Sequence, residues 1–279
     1  MILRVPRHFS FAATVESHGW YRLAPFRWSR EEGVLRRNDL EFRFRDGAIS
    51  VILSREDDEG SPASRLRMTR EQIRRMFQLD VDTSEFVELA RRSPDHAWVE
   101  GAGFGHLLCG ATLWEDAVKI IATTNTTWGQ TVRMIDRLVA KCGGVFPTQE
   151  EVARFSVEEL QADCHLGYRA KSVHALASCD LSSIPESTED RYRFYLSLPG
   201  IGPYGAAHLL AMDGRHDFIA VDTEFRRHVR ERYHRGCRVS DATMLRRYRK
   251  WGRWKYLAYW SELHRSVAEA LQPGARKDK

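Results

Sequence analysis

The stretch LPGIGPYGAA, residues 198–207, decides the fold of this chain. A helix is predicted to end where the stretch begins and to turn tightly through Gly200 and Gly202, because glycine adopts backbone angles that other residues avoid. A second helix is predicted to begin with Pro203, since the first helical position needs no backbone N–H. Gly205 and the alanines after it allow close helix packing. The pattern indicates a helix-hairpin-helix whose free amides suit a phosphate oxygen, although an ordinary joint between two helices has the same pattern.

A second informative segment is DFIAVDTEFRR, residues 217–227. Asp222 ends an apolar run and is predicted to open a helix, where its whole role could be that of an N-cap. The helix dipole and the free amides also favour the charged form of a carboxylate at this position. An ionised carboxylate can stabilise a sugar that is turning into an oxocarbenium ion and can align an attacking water.

Hydrophobic periodicity divides the chain into a short β region and a long helical region. Residues 40–45 alternate between apolar and charged, Asp46 and Gly47 follow as a hairpin-turn signal, and a second alternating run returns. The first fifty residues are therefore predicted to be strands. From about Thr69 the period becomes helical.

Several helix starts are marked by capping residues. Ser84 and Thr112 are predicted N-caps, and Glu115 stands in the capping-box position of the second helix. Further helices are predicted over 127–141, 170–178, 187–198, 203–212, 223–232, 241–251 and 254–271.

The predicted fold class is α+β and mainly α. A small antiparallel β domain at residues 1–75 is expected to precede an all-α body at residues 76–279. This body carries the hairpin at 188–212 and the loop of Asp222 at 217–224.

The overall composition is that of a soluble globular protein, with 43% hydrophobic and 29% charged residues. Lys and Arg exceed Asp and Glu by 43 to 38, and the pI is about 9.0. This excess permits a polyanionic partner but does not require one. The N-terminal region lacks the apolar run of a signal peptide, and no segment is apolar for long enough to span a bilayer. We therefore expect a cytoplasmic protein of a bacterial cytosol and nucleoid, with no membrane partner.

The two segments together resemble those of a known superfamily. LPGIGPYGAA followed by VDTEFRR is similar to the helix-hairpin-helix (HhH-GPD) DNA glycosylases, in particular bacterial 3-methyladenine DNA glycosylase II and the 8-oxoguanine DNA glycosylases. The resemblance extends in order over nearly the whole chain. It includes the β-rich N-terminal region, MFQLDVD at 76–82, TTNTTW at 123–128, LGYRA at 166–170 and the helix at 251–263. The resemblance implies an enzyme that flips a damaged base out of double-stranded DNA and hydrolyses its N-glycosidic bond.

Two positions of the resemblance concern the chemistry. Asp222 matches the catalytic aspartate of the family. Tyr204 stands where the 8-oxoguanine enzymes carry a Schiff-base lysine and the 3-methyladenine enzyme carries an aromatic residue of the base pocket. Without an amine at this position the chain has no obvious nucleophile for β-lyase chemistry. The resemblance therefore implies a monofunctional enzyme that uses water and leaves an abasic site.

Other positions match DNA contacts of the family. Tyr168 matches a wedge that enters the base stack, and Asn125 matches a residue that fills the gap left by the flipped nucleotide. Arg169 resembles an arginine that contacts the opposite base, whereas Gln130 replaces a second such arginine, which puts recognition of an opposite cytosine in doubt. The hairpin is expected to bind DNA through its backbone. Its positions are Gly200, Gly202, Tyr204 and Gly205.

The base pocket is expected to be aromatic. Trp260 matches a residue that stacks on the flipped base, and an aromatic face favours an electron-poor or cationic base. Trp128, Trp20 and Tyr21 are further pocket candidates, and His18 is a candidate polar contact. Packing in the core of an amphipathic helix is the alternative for Trp260, and a structural role is the alternative for His18.

The resemblance also bears on bound groups and partners. The family hairpin holds a monovalent cation, K+ or Na+, through main-chain carbonyls that correspond here to Leu196, Leu198 and Ile201. No organic cofactor is expected. The five scattered cysteines contain no CxxC pair, and only Cys237 lies where some relatives bind an iron–sulfur cluster, so no such cluster is expected. The expected partner is damaged double-stranded DNA, bound by a monomer.

Three functions remain open from the sequence. The leading hypothesis is a monofunctional glycosylase for alkylated purines such as 3-methyladenine. The second is a monofunctional glycosylase for 8-oxoguanine or another oxidised or deaminated base. These two differ in pocket polarity, because stacking alone suits a cationic base whereas 8-oxoguanine needs a placed polar contact. The third is a non-catalytic lesion-binding protein, which Asp222 disfavours because phosphate binding gains nothing from a carboxylate.

Overall fold

The computed structural model describes residues 1–53 and 68–269. Within these residues the strands form one five-stranded antiparallel sheet in the order β1-β5-β4-β3-β2. The strands are β1 (Ile2–Arg4), β2 (Phe26–Ser29), β3 (Val34–Arg37), β4 (Leu40–Arg45) and β5 (Ala48–Leu53). Asp46 and Gly47 join β4 to β5 with φ values of 50° and 72°, the left-handed pair that a tight hairpin requires. The predicted hairpin is confirmed.

The segment between β1 and β2 is not a strand, so this part of the prediction is wrong. Helix α1 (Phe11–Val15) and a 3-10 turn over Gly19–Arg22 occupy it. Ser10 begins α1 as its N-cap, because its side-chain oxygen accepts a backbone N–H of the first turn. This excursion from the sheet places His18 and Trp20 against the helical body.

The remainder of the described chain is mainly helical. Its helices are α2 (Arg70–Met76), α3 (Ser84–Arg91), α4 (Trp98–Ala102), α5 (Leu113–Thr123), α6 (Trp128–Lys141), α7 (Gln149–Ala153), α8 (Val157–Ala162), α9 (Arg169–Leu176), α10 (Thr188–Ser197), α11 (Pro203–Met212), α12 (Thr223–Tyr233), α13 (Asp241–Arg246) and α14 (Lys255–Glu269). A small antiparallel sheet followed by a helical body confirms the α+β, mainly α fold class.

One predicted helix is shorter in the structure. The helix expected over 241–251 ends at Arg246, and a 3-10 turn over Arg249–Trp254 follows. Gly252 within that turn has a φ of 54°, which breaks the helical path before α14. The predicted end of the last helix at residue 271 lies outside the described residues.

The two predicted caps have different outcomes. Ser84 lies inside α3 and Thr83 is the N-cap, so the prediction for Ser84 is wrong. The Asp82 carboxylate accepts the N–H of Ser84 at 2.9 Å and so satisfies that amide from outside the helix. Thr112 caps α5 as predicted, because its hydroxyl oxygen accepts the N–H of Glu115 at 3.2 Å.

Glu115 does not complete a capping box, because its side chain points into the protein. Arg37 on β3 donates to both carboxylate oxygens at 2.8 and 2.7 Å. Lys119, one turn further along α5, donates to Glu115 Oε1 at 2.7 Å. All three side chains are buried. We call Arg37, Glu115 and Lys119 the ion cluster, and it joins the sheet to α5.

Apolar packing forms two neighbouring clusters. The first joins the sheet to the helices behind it, where the rings of Phe42 and Phe77 lie 5.6 Å apart. The second packs α3 and α4 against the C-terminal helices, where Phe225 meets Tyr259 edge to face at 5.0 Å. Helix α11 contributes side chains to both clusters, so the second helix of the hairpin lies between them.

Candidate active site

The hairpin has the predicted form. Gly200 turns the chain with a φ of 79°, and α11 begins with Pro203 after Gly202 as its N-cap. A Cβ at Gly200 would lie 2.6 Å from a side-chain atom of α9, and one at Gly205 would lie 3.0 Å from a side-chain atom of α5. The two glycines thus allow the hairpin to pack closely on α9 and α5, which fixes the direction of α11.

Asp222 is the N-cap of α12. Its Oδ1 accepts the backbone N–H of Phe225 at 2.7 Å, so the predicted cap is confirmed. Burial raises the pKa of Asp222, whereas the hydrogen bond from Phe225 lowers it. The sequence predicts that the helix N-terminus lowers the pKa of Asp222, but the removal of this carboxylate from water has the larger effect and raises its pKa.

Tyr204 lies in the first turn of α11 and is partly exposed. Burial, and then the nearby charge of Asp222, raise the pKa of Tyr204 to about 12, although a hydrogen bond with Thr123 lowers it. The phenol is therefore neutral and lies within electrostatic reach of the Asp222 carboxylate.

His208, one turn after Tyr204 on α11, is surrounded by aromatic rings. Its ring centroid lies 5.6 to 5.9 Å from those of His18, Trp20, Tyr204, Tyr256 and Trp260. We call these six residues the aromatic cage. His208 and Tyr256 were missed in the sequence, although the spacing of four residues from Tyr204 puts His208 on the same helix face.

Two tryptophans of the cage are fixed by their indole N–H groups. Trp20 donates to Asp116 Oδ1 at 2.8 Å, and Trp260 donates to the carbonyl oxygen of Ser17 at 2.8 Å. The Trp260 ring also stacks with His264 at 4.4 Å. These bonds hold both indoles in fixed orientations, so the cage is a rigid structure.

Two of the predicted pocket residues, Trp128 and Tyr21, are not among the six residues of the aromatic cage. Trp128 is the first residue of α6 and packs against the backbone of Gly19, where an added Cβ would lie 2.4 Å from its ring. Tyr21 is half-buried at the side of the first apolar cluster. Among the described residues neither ring forms a ring–ring pair with a cage ring, and their place in a base pocket stays a prediction.

Asn125 and Tyr168 meet on the surface. Tyr168 is 58% exposed, a large value for an aromatic residue, and its hydroxyl accepts a hydrogen bond from Asn125 Nδ2 at 3.2 Å. Asn125 is also exposed and has a φ of 47°, in the left-handed region. The structure therefore presents the two residues predicted to enter the base stack as one exposed pair.

Arg169 and Gln130 support the loop that carries this pair. The guanidinium of Arg169 is buried and donates to the carbonyls of Thr124 and Asn125. The Gln130 side chain accepts the N–H of Thr127 at 3.3 Å and completes a capping box on α6. Both polar groups thus hold the loop in place, and their contacts with DNA stay predictions.

A cavity of about 430 Å³ opens beside this loop. It is lined by Thr126, Gln130, Arg133, Met134, Arg137, His165 and Arg169. Arg133 and Arg137 follow Gln130 at helical spacing on α6, and this spacing in the sequence could have indicated that they line one site. A separate cavity of about 780 Å³, between the β3–β4 turn and the loops at 145–150 and 177–182, shares no residue with the cage.

Of the predicted cation ligands, Leu196 lies in the last turn of α10, whereas Leu198 and Ile201 lie between α10 and α11. The carbonyl of Leu198 accepts the N–H of Ile201 at 3.1 Å and is part of the turn itself. In the described part of the chain, no group of three or more His, Cys, Asp or Glu residues is placed to hold a metal ion. No helix in residues 1–53 and 68–269 has the length and apolarity needed to cross a membrane.

The class of the protein follows from comparison with known proteins. Residues 118–253, which include the hairpin and Asp222, match the family model of the HhH-GPD superfamily base excision DNA repair protein. Through this segment the chain is similar to the HhH-GPD superfamily of base excision DNA repair proteins. No curated protein sequence matches the chain.

Solved structures with the same fold include two glycosylases of different specificity. The 3-methyladenine DNA glycosylase from Archaeoglobus fulgidus is 17% identical, with a TM-score of 0.74 over 95% of this chain and 98% of that chain. An 8-oxoguanine glycosylase/lyase from Clostridium acetobutylicum, in complex with DNA, is 17% identical, with a TM-score of 0.70 over 95% of each chain. A protein named MBOgg1, also in complex with a DNA ligand, is 19% identical, with a TM-score of 0.73 over 95% of each chain. At these identities the similarity shows the fold.

Proposed function

We propose that this protein is a monofunctional DNA N-glycosylase that flips a damaged base out of duplex DNA and hydrolyses its N-glycosidic bond. The observation that carries the proposal is the carboxylate of Asp222, anchored by the Phe225 N–H and within electrostatic reach of the aromatic cage through Tyr204. The HhH-GPD match of the surrounding segment supports the same activity.

The proposed reaction uses Asp222 in two ways. As the bond between C1′ and the base nitrogen breaks, the electron pair leaves with the base and positive charge develops on the sugar, where a carboxylate stabilises it. Asp222 then takes a proton from the water that bonds to C1′ and releases it to solvent, and a base that left as an anion takes up a proton from solvent. The products are the free base and an abasic site. The Phe225 N–H holds the carboxylate in place, so little reorganisation is needed during the reaction.

Duplex DNA is the proposed partner. The exposed pair of Tyr168 and Asn125 has the form of a wedge, since an aromatic ring can enter the base stack and an amide can fill the vacated position. The amides at the start of α11 suit a phosphate. Two structural relatives were solved with DNA, which supports the same partner.

Two classes of damaged base are candidates for recognition by the aromatic cage. An alkylated purine such as 3-methyladenine is expected from stacking, because aromatic faces attract a cationic ring, and the Archaeoglobus fulgidus relative is named for that base. An oxidised or deaminated base is the second candidate. It is favoured by polar atoms in the cage that stacking does not use, on His18 and His208.

The change Asp222→Asn tests the proposed catalytic role. Asparagine keeps an oxygen for the N-cap but removes the charge, so single-turnover base release should fall by about 10²- to 10³-fold. The measurement is release from duplexes that each hold one lesion, with DNA affinity followed by fluorescence anisotropy and expected to stay within about threefold. Asp217→Asn, on the same segment, is the matched control and should keep full activity. Equal losses of rate and affinity at Asp222 would indicate a structural cap only.

A borohydride experiment tests the absence of lyase chemistry. Borohydride reduces an imine between a lysine and C1′ to a stable adduct, and the native protein has a phenol at position 204, so we expect no covalent complex with damaged DNA. Tyr204→Lys is the positive control, since it places an amine at the position where the 8-oxoguanine enzymes carry their Schiff-base lysine. An adduct formed by the native protein would show that another lysine attacks the sugar.

A further inference from the structure

Two buried imidazoles of the aromatic cage carry nitrogens that lack a hydrogen-bond partner. These atoms are Nδ1 of His18 and Nε2 of His208, and the statement holds for all residues that the structure describes. The two side chains are 6% and 3% exposed, and their rings meet edge to face at 5.7 Å. A buried polar atom without a partner is unfavourable in a folded protein, so each such atom calls for an explanation.

The proton of His18 is placed by its one hydrogen bond. Nε2 lies 2.7 Å from the carbonyl oxygen of Leu108, and a carbonyl oxygen only accepts, so Nε2 carries the hydrogen. Burial, and then the neighbouring His208, lower the pKa of His18 well below its usual value, so the ring is neutral near pH 7. Nδ1 of His18 therefore presents a lone pair and acts as an acceptor.

The proton of His208 is placed by the same reasoning. Its Nδ1 lies 3.1 Å from the hydroxyl of Tyr256, which has no other hydrogen-bond partner among the described residues. A buried hydroxyl that donated nothing would leave its own proton unpaired, so Tyr256 donates to Nδ1. Burial lowers the pKa of His208 to about 4 and keeps the ring neutral. Nε2 of His208 therefore carries an N–H and acts as a donor.

Unpaired imidazole nitrogens also occur outside the cage, so they do not by themselves define a site. His106 has the same arrangement as His18, with Nε2 on the carbonyl of Val81 at 3.1 Å and Nδ1 unpaired, but its ring packs on Phe9. His18 and His208 differ because their rings meet edge to face in the aromatic cage, and one ring offers an acceptor while the other offers a donor. His208 also lies one turn from Tyr204, which is within electrostatic reach of Asp222.

The N–H donor of His208 can stabilise the leaving base only if negative charge develops on that base, which depends on whether the base is neutral or cationic. A cationic alkylated base leaves as a neutral molecule, so a donor has no developing charge to stabilise. A neutral base leaves with the electron pair of the broken bond and becomes an anion, which an N–H donor stabilises. A neutral imidazole donor beside the base thus favours the excision of neutral bases.

We propose that His18 and His208 determine the specificity of the site, with His18 Nδ1 accepting from an N–H of the flipped base and His208 Nε2–H donating to a carbonyl oxygen of it. The substrate class is then a neutral base that carries an N–H next to a carbonyl, as hypoxanthine and 8-oxoguanine do. This inference rests on the proposed glycosylase function.

The test compares neutral and cationic bases in the same duplex. Single-turnover release of hypoxanthine, 8-oxoguanine and 7-methylguanine is measured for the native protein, His18→Phe and His208→Phe. We expect each change to lower the release of at least one neutral base by about 10- to 100-fold and that of 7-methylguanine by less than about threefold. His208→Gln places an amide N–H near the position of Nε2 and should recover part of the loss. His106→Phe is the matched control and should change neither class.

Each other outcome has a distinct meaning. Equal loss for neutral and cationic bases, with His208→Gln giving no recovery, would show that the imidazoles only pack, and unchanged release of every base would overturn the inference equally. Release of 7-methylguanine alone by the native protein would overturn the inference and leave the proposed function intact. No release of any base by the native protein would overturn the proposed function itself. Circular dichroism and thermal unfolding confirm that each variant is folded.

Discussion

The ion cluster and the aromatic cage are both buried and both contain ionisable side chains, but they differ in how fully their polar atoms are paired. In the ion cluster, Arg37 and Lys119 donate to the same Glu115 carboxylate, which also accepts the N–H of Ala111. In the cage, one nitrogen of each imidazole is unpaired. The difference indicates two purposes. Paired charges fix how the sheet packs on α5, whereas unpaired atoms leave bonding capacity for a ligand.

The largest expected effect is the loss of stability when the ion cluster loses its carboxylate. Glu115→Leu leaves two buried cations without a counter-charge and should lower the free energy of unfolding by about 3–5 kcal/mol. Urea denaturation followed by circular dichroism measures the loss. Glu88→Leu removes an exposed carboxylate that pairs with Arg91 on the surface, and its effect should stay below about 1 kcal/mol. Similar losses for the two variants would show that the ion cluster contributes no more than a surface pair.

The next effect is the pH dependence of stability that His208 of the aromatic cage causes. His208 is neutral in the folded protein, with its pKa lowered to about 4 by burial, and it regains an ordinary pKa near 6.5 on unfolding. Between about pH 4 and pH 6.5, His208 therefore takes up a proton when the protein unfolds. The contribution of neutral His208 to the unfolding free energy is complete above about pH 6.5 and is lost as the pH falls toward about 4. His208→Phe should make the fall of unfolding free energy with decreasing pH shallower by up to about 1.4 kcal/mol per pH unit.

Equilibrium unfolding at a series of pH values tests this slope. His165→Asn, at an exposed position with a φ of 57° that asparagine tolerates, is the control and should leave the slope unchanged. The same slope in His208→Phe and the native protein would mean that His208 is accessible to protons in the folded state. The cage would then be less dry than the unpaired nitrogens indicate.

The smallest expected effect is the loss of stability when Lys119 is removed from the ion cluster. Lys119→Met removes one cation but leaves both bonds between Arg37 and Glu115, so no charge loses its last partner. The buried ammonium is itself costly, and burial lowers the pKa of Lys119. We expect a loss of less than about 2 kcal/mol, measured by urea denaturation. A loss as large as that of Glu115→Leu would show that the three charges act as one unit.

The parts of the fold that depend on neighbouring residues were predictable from the sequence. Pro203 begins α11 and Asp222 caps α12 as expected, because both signals act within one helical turn. The β4–β5 hairpin follows from Asp46 and Gly47 in the same way. These elements set the positions of Tyr204 and Asp222, so the centre of the candidate site could be predicted.

The parts that depend on distant residues were not predictable. Glu115 has the spacing of a capping box, but its partner Arg37 lies 78 positions away and removes it from the cap. His18 bonds to Leu108, 90 positions away, and nothing local distinguishes that pair. Trp128 carries the aromatic character expected of a pocket residue, yet it packs on Gly19. Periodicity indicates which face of an element is buried, but it does not indicate what that face meets.

The loop that Arg169 holds in place is already ordered in the protein without DNA. The Arg169 side chain donates hydrogen bonds to the carbonyls of Thr124 and Asn125, and these bonds keep the Tyr168–Asn125 pair in position. The conformational entropy of this loop is therefore lost once, when the chain folds, rather than at every encounter. If the protein is the proposed glycosylase, which must sample many undamaged base pairs, no ordering of this loop is added to each trial.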